Sequence, residues 1–392
     1  MKESITRILT TILHTIGVSN KRDKDFWINF FEVLLHMRGR KNYTNISRYG
    51  SFGESTLRRR LGQLFDWPAF HKALLSHVVS PDSPVIGVLD CSFIHKSGSK
   101  TYGLDKFWSS VAGKSLKGLE VSVLGAVEVL SRRAWALDVQ QTPSGVNRLD
   151  TYMTQLSRML SHLPQIKYWV ADSFYAKVKV FNLMNSQGYF LISQLRNDAN
   201  LRYIEPSTQR RKPGRKPKWG EKVDFSELSL WQYLKRDFIA PHLHLYTQEL
   251  YSPQFKCRLR VVLVKNIKSG AYQIIASSNP KQDPRQVIAY YQLRFQIEFL
   301  FRDAKQFAGL EHAQTRKQQN LNNHFNISFA QVNLMNALQL HLPKITSKNS
   351  LIRVAFNTTL IHSLIHKLGL EPEFVNSKCK IDYFYNYGAF AA

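Results

Sequence analysis

The chain is poor in cysteine and has no long apolar stretch. Its three cysteines, Cys91, Cys257 and Cys379, lie far apart among 392 residues and are odd in number. They therefore form neither a disulfide framework nor a zinc-binding spacing. The 13 histidines are scattered, and we assign them no metal ion. No run of about 18 apolar residues is present, and the first residues lack the apolar core of a signal peptide. These absences predict a protein of a reducing cytoplasm that has no membrane partner.

Acidic residues are scarce as well. The chain carries 54 lysines and arginines against 28 aspartates and glutamates, which gives a formal net charge of +26. Such an excess favours a polyanionic partner, either nucleic acid or an acidic membrane surface, and the missing apolar run makes the membrane the weaker choice. A hydrophobic content of 44% is ample for a sizeable core. The length predicts roughly two to four structural units.

One polar stripe near residue 300 carries the strongest functional signal. The pattern of residues 289–310 predicts one long helix. At about 100° per residue, Tyr291, Arg294, Glu298 and Lys305 project within about 60° of one another. A carboxylate beside cations suits a metal ion acting on a phosphate chain. An ordinary amphipathic helix with a charged outer face is the alternative. A separate arc of the same helix is apolar and is expected to face the core. This arc consists of Leu293, Ile297, Leu300, Phe301 and Ala304.

Two further carboxylates follow apolar segments upstream. Asp90 ends the run 85–89, and Asp172 ends the run 168–171. Both runs have the composition of buried strands, so the two acids are expected at the carboxyl edge of a sheet, where open α/β sheets place ligands. Either aspartate alone is equally compatible with a cap or a turn after a strand. The three acids together favour a metal-dependent site.

These residues resemble a known family. The spacing Y-x2-R-x3-E-x6-K is that of DDE transposases of insertion-sequence family four, and Asp90, Asp172 and Glu298 match the three acids of that family in order. The segment 309–321, GLEHAQTRKQQNL, is also similar, and the resemblance covers roughly residues 80–340. One departure is Cys91, which stands where many members have a second aspartate.

The resemblance implies an enzyme, its cofactor and the roles of its residues. It implies a transposase that performs cut-and-paste transposition by metal-dependent cleavage and strand transfer at the terminal inverted repeats of an insertion sequence. The three acids would hold two Mg²⁺ ions, for which Mn²⁺ substitutes. Tyr291, Arg294 and Lys305 would bind phosphates. Phe295 would stack on a base turned out of the duplex, or else be a buried core residue, and Tyr272 is a weaker candidate for stacking.

The resemblance also implies partners and a location. The partners would be the double-stranded ends of the element and the target DNA. Two copies of the chain would form a homodimer when bound to paired element ends. The location would be the bacterial cytoplasm, in association with the nucleoid. Two alternatives stay open. One is a non-catalytic DNA-binding protein derived from a transposase, and the other is a structure-specific nuclease of the same fold.

A basic segment near the N-terminus is a candidate DNA contact. Residues 51–64 predict the second helix of a helix-turn-helix, with Ser51 as its cap and Glu54 in a capping box. A helical bundle with a solvated basic face is the alternative. As a recognition helix, the segment would present three cations to a DNA groove, namely Arg58, Arg59 and Arg60.

A second basic segment lies at 200–222. It is rich in cations and is broken by prolines, which prevent regular structure. It resembles the basic hooks that enter the minor groove, and the alternative is a flexible solvated loop. The candidate contacts are Arg211, Lys212, Arg215 and Lys216.

The order of predicted elements indicates an α/β fold. Three antiparallel strands, then helix, strand, helix and strand, are the order of a ribonuclease-H-like mixed sheet flanked by helices, here with a mostly β insertion and an N-terminal helical DNA-binding domain. The first strands are expected at 85–94, 119–130 and 133–142. The main helices are expected at 148–163, 177–186, 321–342 and 351–370. The helix at 321–342 is strongly apolar and is expected to pack behind the catalytic helix.

These elements predict a division of the chain. The N-terminal domain is expected at 1–78, and the two parts of the catalytic core at 82–198 and 283–345. The basic loop and the β-rich insertion are expected at 199–282, and a C-terminal helical region at 346–392.

Overall fold

Helices form the N-terminal region. A computed structural model describes residues 1–204, 218–234, 240–345, 347–370 and 381–390. Ile5, Ile8 and Ile12 recur at helical spacing and are buried, which is why the first segment packs as an amphipathic helix. The predicted cap of the fourth helix is wrong, because that helix begins directly after Gly53 and has no side-chain cap. The helices of this region are α1 (Lys2–Thr15), α2 (Lys21–His36), α3 (Tyr43–Tyr49), α4 (Glu54–Arg60) and α5 (Trp67–Val78).

A mixed sheet forms the centre of the molecule. Its first part contains β1 (Val85–His95), β2 (Asp105–Ser109), β3 (Lys114–Glu128), β4 (Arg133–Gln141), β5 (Tyr168–Ala171) and β6 (Phe190–Leu195), with α6 (Arg148–Leu160) and α7 (Val178–Ser186) between the later strands. Strands β4, β3 and β1 are antiparallel neighbours, and β5 and β6 follow in parallel. The predicted order of strands and helices is therefore confirmed. The short strand β2, which pairs with β3, is absent from the prediction.

The segment expected to be an insertion extends this same sheet. Its strands are β7 (Arg202–Tyr203), β8 (Gln232–Leu234), β9 (Leu243–Ser252), β10 (Cys257–Asn266) and β11 (Tyr272–Ser277). β11 pairs with β6, so that Ile275 lies opposite Gln194, and the main run of neighbours is β2-β3-β1-β5-β6-β11-β10-β9-β7. Four of the basic candidates lie outside the described residues, namely Arg211, Lys212, Arg215 and Lys216.

The predicted long helix near residue 300 is divided in two. α8 (Pro284–Leu293) and α9 (Gln296–Phe307) are separated at Arg294 and Phe295. Around this break, backbone N–H groups bond three residues back, as between Arg294 and the Tyr291 carbonyl at 3.1 Å. Such bonding turns the chain by about 120° per residue, not 100°. The break contains neither proline nor glycine. The prediction of one helix is therefore wrong, and local helix propensity does not explain the break.

The remaining helices cover the sheet. They are α10 (Gln318–His341), α11 (Lys348–Lys367) and α12 (Ile381–Tyr385). The predicted core face of α9 is confirmed, since Ile297 and Ala304 are both 0% exposed. The predicted fold class is confirmed as well, as a large and mostly open mixed sheet flanked by helices, with further helices at the N-terminus. No helix in the described part of the chain is long and apolar enough to cross a membrane.

Candidate active site

Asp90 lies on β1 at the point where that strand continues beyond its neighbour. β1 pairs with β5 only at Gly87 and Val88, so Asp90 stands past the end of β5. A side chain at Gly87 would lie 2.2 Å from the Trp169 ring, which explains a glycine in this strand. The Asp90 carboxylate accepts a hydrogen bond from the backbone N–H of Cys91 at 2.8 Å. Burial, and then the charge of Asp172, raise the pKa of Asp90 to about 7.

Asp172 follows β5 and caps the next turn. Its carboxylate accepts from the backbone N–H of Phe174 at 3.0 Å, at the start of a 3₁₀ turn over Ser173–Tyr175. Its backbone carbonyl accepts from the Ser193 hydroxyl at 2.7 Å. Burial raises the pKa of Asp172, while the Phe174 amide and the Arg294 charge lower it in part. Asp172 therefore caps a turn after its strand, which is the alternative role expected from the sequence. Its charge also acts on Asp90.

Glu298 lies on the first turn of α9 and is paired. Its carboxylate Oε1 is 3.0 Å from a guanidinium nitrogen of Arg294. Burial lowers the pKa of Arg294, but the Tyr291 phenol and the Glu298 and Asp90 carboxylates outweigh it, so this pKa is raised above its ordinary value. Glu298 also contributes to the raised pKa of Asp90. Arg294 therefore acts as a positive charge shared by Glu298 and the aspartates.

Tyr291 and Lys305 have their own protein partners. The Tyr291 hydroxyl donates to the Gln194 side-chain oxygen at 3.2 Å, and burial raises the pKa of this phenol. The Lys305 ammonium donates to the Phe93 carbonyl on β1 at 3.1 Å and lies 3.4 Å from Glu311. Sequence patterns do not single out Gln194, because nothing local indicates that β6 lies opposite α8.

The structure brings the predicted acids into one electrostatic cluster. The charges of Asp172 and Glu298 both act on Asp90, and Arg294 acts on both aspartates. The described residues nevertheless contain no group of three His, Cys, Asp or Glu side chains close enough to hold a metal ion. The ion pair with Arg294 occupies one oxygen of the Glu298 carboxylate.

Phe295 occupies the break between α8 and α9 and is open to solvent. Its side chain is 48% exposed, which excludes the alternative of a buried core residue. The ring packs edge-on against Phe299, with centroids 5.1 Å apart. The hydroxyl of Tyr272, the weaker candidate, donates to the Asn197 carbonyl at 3.5 Å, and its ring packs near Phe225. Phe295 is thus the freer of the two rings.

The three arginines of α4 differ in their surroundings. Arg58 forms an ion pair with Glu54 and remains largely exposed. Arg59 is exposed. Arg60 turns inward, because it pairs with Asp23 and its guanidinium lies over the Phe26 ring of α2. In this arrangement Arg58 and Arg59 present charge outward, and Arg60 ties α4 to α2.

Comparison with known proteins places the chain in a family. Residues 81–334, well over half of the chain, match the family described as transposase DDE domain. No curated protein matches the chain. Among solved structures it is similar to the cryo-EM structure of the piggyBac transposase synaptic complex with hairpin DNA, at 11% identity and a TM-score of 0.42, over 94% of this chain and 80% of that one. The extent of the family match shows that this chain belongs to the DDE-domain transposases.

Proposed function

We propose that the chain is a DNA transposase of the insertion-sequence family four type. It would cut and join DNA at the terminal inverted repeats of its element by metal-dependent phosphoryl transfer. The observation that carries this proposal is the electrostatic cluster that Asp90, Asp172 and Glu298 form beside Arg294. Family membership supports the reaction class, and the helix signature in 291–305 supports the subgroup.

The acids fit a divalent cation in their chemistry. Asp90, Asp172 and Glu298 would hold two Mg²⁺ ions, with Mn²⁺ as a substitute, since carboxylate oxygens are the ligands that Mg²⁺ prefers. Burial and neighbouring acids raise the pKa of Asp90 to about 7, so negative charge is crowded here and a cation would offset it. Glu298 would join the other acids after leaving Arg294. When bound, such ions activate a water or a DNA 3′-hydroxyl and stabilise the leaving oxygen.

The neighbouring side chains would bind and orient the DNA. Arg294, once released from Glu298, would grip a phosphate with two parallel hydrogen bonds, and Lys305 would act as a point charge. Tyr291 would position the same backbone from its place beside Gln194. The exposed Phe295 ring would stack on a base extruded near the cut, which offsets part of the cost of unstacking.

More distant parts would hold the rest of the DNA. Residues 1–78 would form a DNA-binding domain, and the basic loop of a 199–282 insertion would enter a minor groove. The two parts of the catalytic core would be 82–198 and 283–345, with 346–392 as a C-terminal region. A homodimer would hold two element ends together.

Cleavage of end-bearing DNA tests this function. We expect the wild-type protein with Mg²⁺ to cut duplex DNA at the element boundary. Glu298→Gln should bind the same DNA but cut it at least about 100-fold more slowly, because changing even the groups that support metal ligands costs about 10–100-fold. Glu3→Gln changes an exposed glutamate in the first turn of another helix, α1. It is the matched control and should cut normally.

The rival functions give different results in the same assay. Binding without cleavage by the wild type, in Mg²⁺ or Mn²⁺, would assign a non-catalytic DNA-binding protein. Cleavage of branched DNA without regard to the element end would assign a structure-specific nuclease. Normal cleavage by Glu298→Gln would remove Glu298 from the catalytic set.

A further inference from the structure

An open cleft lies away from the acids, between two segments with no assigned role. It has a volume of about 680 Å³ and separates the loop after β1 from the segment that precedes α10. Three exposed cations, Lys100, Arg316 and Lys317, face this one concave surface. The remaining polar lining includes Thr101, Tyr102 and Ser144.

Backbone contacts join the two walls of the cleft. The Tyr102 N–H donates to the Arg316 carbonyl at 3.0 Å, and the Lys96 ammonium donates to the Ala313 carbonyl. α10 starts at the rim with Lys317 as its N-cap, and no side chain caps its first amides. The N-terminal end of this 24-residue helix adds partial positive charge to the three cations.

No carboxylate offsets this charge. The lining contains neither aspartate nor glutamate among the described residues. A nearby acid of the chain, Asp105, accepts hydrogen bonds from the backbone N–H groups of Lys106 at 2.8 Å and Gly145 at 3.3 Å. Burial lowers the pKa of Lys96, and the charge of Arg316 lowers it further, as expected for cations held together without an anion.

The hydroxyl of Thr101 adds a polar group of another kind. Thr101 is 8% exposed and lines the cleft, and within the described part of the chain its hydroxyl has no hydrogen-bond partner. The cleft thus combines three cations, a helix N-terminus and an unpaired hydroxyl, and these donors suit an oxygen-rich anion.

Cations connect the cleft with the acids along β1. Lys305 bonds to the Phe93 carbonyl, and Lys96 follows the end of the same strand at His95. The strand covers about 17 Å from Asp90 to His95, at about 3.3 Å per residue. The lining of the cleft begins at Ser99, four residues past the end of this strand.

From these observations we infer that the cleft binds backbone phosphates of duplex DNA, at a distance from the reacting phosphate. The inference rests on the proposed function and adds a second backbone contact to it. Lys100, Arg316 and Lys317 supply the charge, and Thr101 donates to a phosphate oxygen. Because these groups meet the backbone and not the base edges, the contact is independent of sequence.

Salt dependence of DNA binding tests the contact. We expect the triple variant Lys100→Gln/Arg316→Gln/Lys317→Gln to bind duplex DNA more weakly. The slope of log K against log salt should fall by about 2–3, at about 0.9 for each lost phosphate contact. An unchanged slope would overturn the inference.

A second triple variant controls for net charge. It removes three exposed lysines elsewhere, Lys256→Gln/Lys268→Gln/Lys281→Gln, and should keep the wild-type slope. An equal loss in both triple variants would also overturn the inference, because the effect would then belong to total charge and not to the cleft.

Two further measurements locate the contact. Thr101→Val should weaken binding about two- to five-fold with the slope unchanged, as expected for the loss of one hydrogen bond. Phosphate ethylation interference, measured in Asp90→Asn so that the DNA stays whole, should show sensitive phosphates outside the cut site. These should vanish in the first triple variant, and their persistence would contradict the inference. Absence of cleavage by the wild type, with these binding results intact, would reject the catalytic proposal alone.

Discussion

The ion pair between Arg294 and Glu298 occupies a carboxylate that the proposed metal site needs. The two side chains lie four residues apart at 3.0 Å and are 21% and 40% exposed. A partly exposed pair of this kind is worth about 0.2–1 kcal/mol. Release of Glu298 therefore costs little, and a DNA phosphate that takes over Arg294 would favour completion of the acid cluster.

Removal of Arg294 should accordingly strengthen metal binding in the absence of DNA. We expect Arg294→Gln to bind Mn²⁺ about two- to five-fold more tightly than the wild type, because Glu298 loses its partner. Electron paramagnetic resonance of free Mn²⁺ during a titration measures this. Arg302→Gln removes a charge from the same helix, where Arg302 pairs with Asp303, and should leave the affinity unchanged. Equal or weaker binding by Arg294→Gln would show that the pair does not restrain Glu298.

The types of residue at the site were predictable, whereas their partners were not. Spacing alone singles out Tyr291, Arg294 and Glu298, since the chemistry of a side chain is read directly from the sequence. The bond from Tyr291 to Gln194 joins residues 97 positions apart. Such a contact depends on how α8 lies over β6, and the local pattern around either residue does not contain that information.

At the scale of elements, α10 covers an open edge of the sheet with buried amides. Within the described residues β4 pairs only with β3, so its outer backbone groups need other partners. Asn333 donates to the Ala136 carbonyl at 2.9 Å and accepts from the Ala136 N–H at 3.0 Å. Asn326 and Asn336 donate to other carbonyls of β4. The sequence predicts that this helix is an apolar support. Its asparagines give the helix a second role, because they bond to the backbone groups at the open edge of the sheet.

Replacing Asn333 should therefore destabilise the fold strongly. Asn333→Leu leaves the N–H and C=O of Ala136 buried without partners, and each such group costs about 1–3 kcal/mol. We expect the free energy of unfolding in urea to fall by about 2–4 kcal/mol. Asn322→Leu on the same helix is the control, because its side chain makes one 3.4 Å contact, and the expected loss is below about 0.5 kcal/mol. Similar losses in both variants would argue against edge closure by Asn333.

The break between α8 and α9 shows why the ends of elements were harder to predict than their presence. Residues 289–308 contain neither glycine nor proline, so local propensity favours one helix. The change of bonding at Arg294 and Phe295 therefore has no local signal in the sequence, and it leaves Phe295 exposed at the turn.

At the scale of the whole molecule, the predicted core and insertion share one sheet. The order of the core strands was predictable, because each strand is a short apolar run between recognisable helices. The pairing of β11 with β6 was not, since Ile275 and Gln194 lie opposite each other although they are far apart in the chain. Strand identity is a local property of the sequence, whereas the neighbour of a strand is a property of the whole chain.

A buried histidine links the stability of this assembled fold to pH. His71 on α5 is 0% exposed, and its Nδ1 lies 3.2 Å from the Asn333 amide on α10. Its Nε2 has no hydrogen-bond partner among the described residues. Burial lowers the pKa of His71 from its ordinary 6.5 to about 4. The unfolded chain therefore binds a proton between pH 6.5 and pH 4 that the folded chain does not, and stability falls as pH falls through this window.

We expect the free energy of unfolding to drop by about 2–3 kcal/mol from about pH 6.5 to about pH 4.5 because of this one side chain, at about 1.36 kcal/mol per pH unit. Urea titrations at several pH values measure the drop. Other groups titrate in the same range, so the decisive quantity is the difference between the wild type and His71→Gln, whose stability should vary less with pH by that amount. His14→Gln, at an exposed histidine of α1, should keep the wild-type dependence. If all three proteins lose stability equally, the imidazole of His71 is protonated in the fold, and the packing of α5 against α10 and β4 must accommodate a charge.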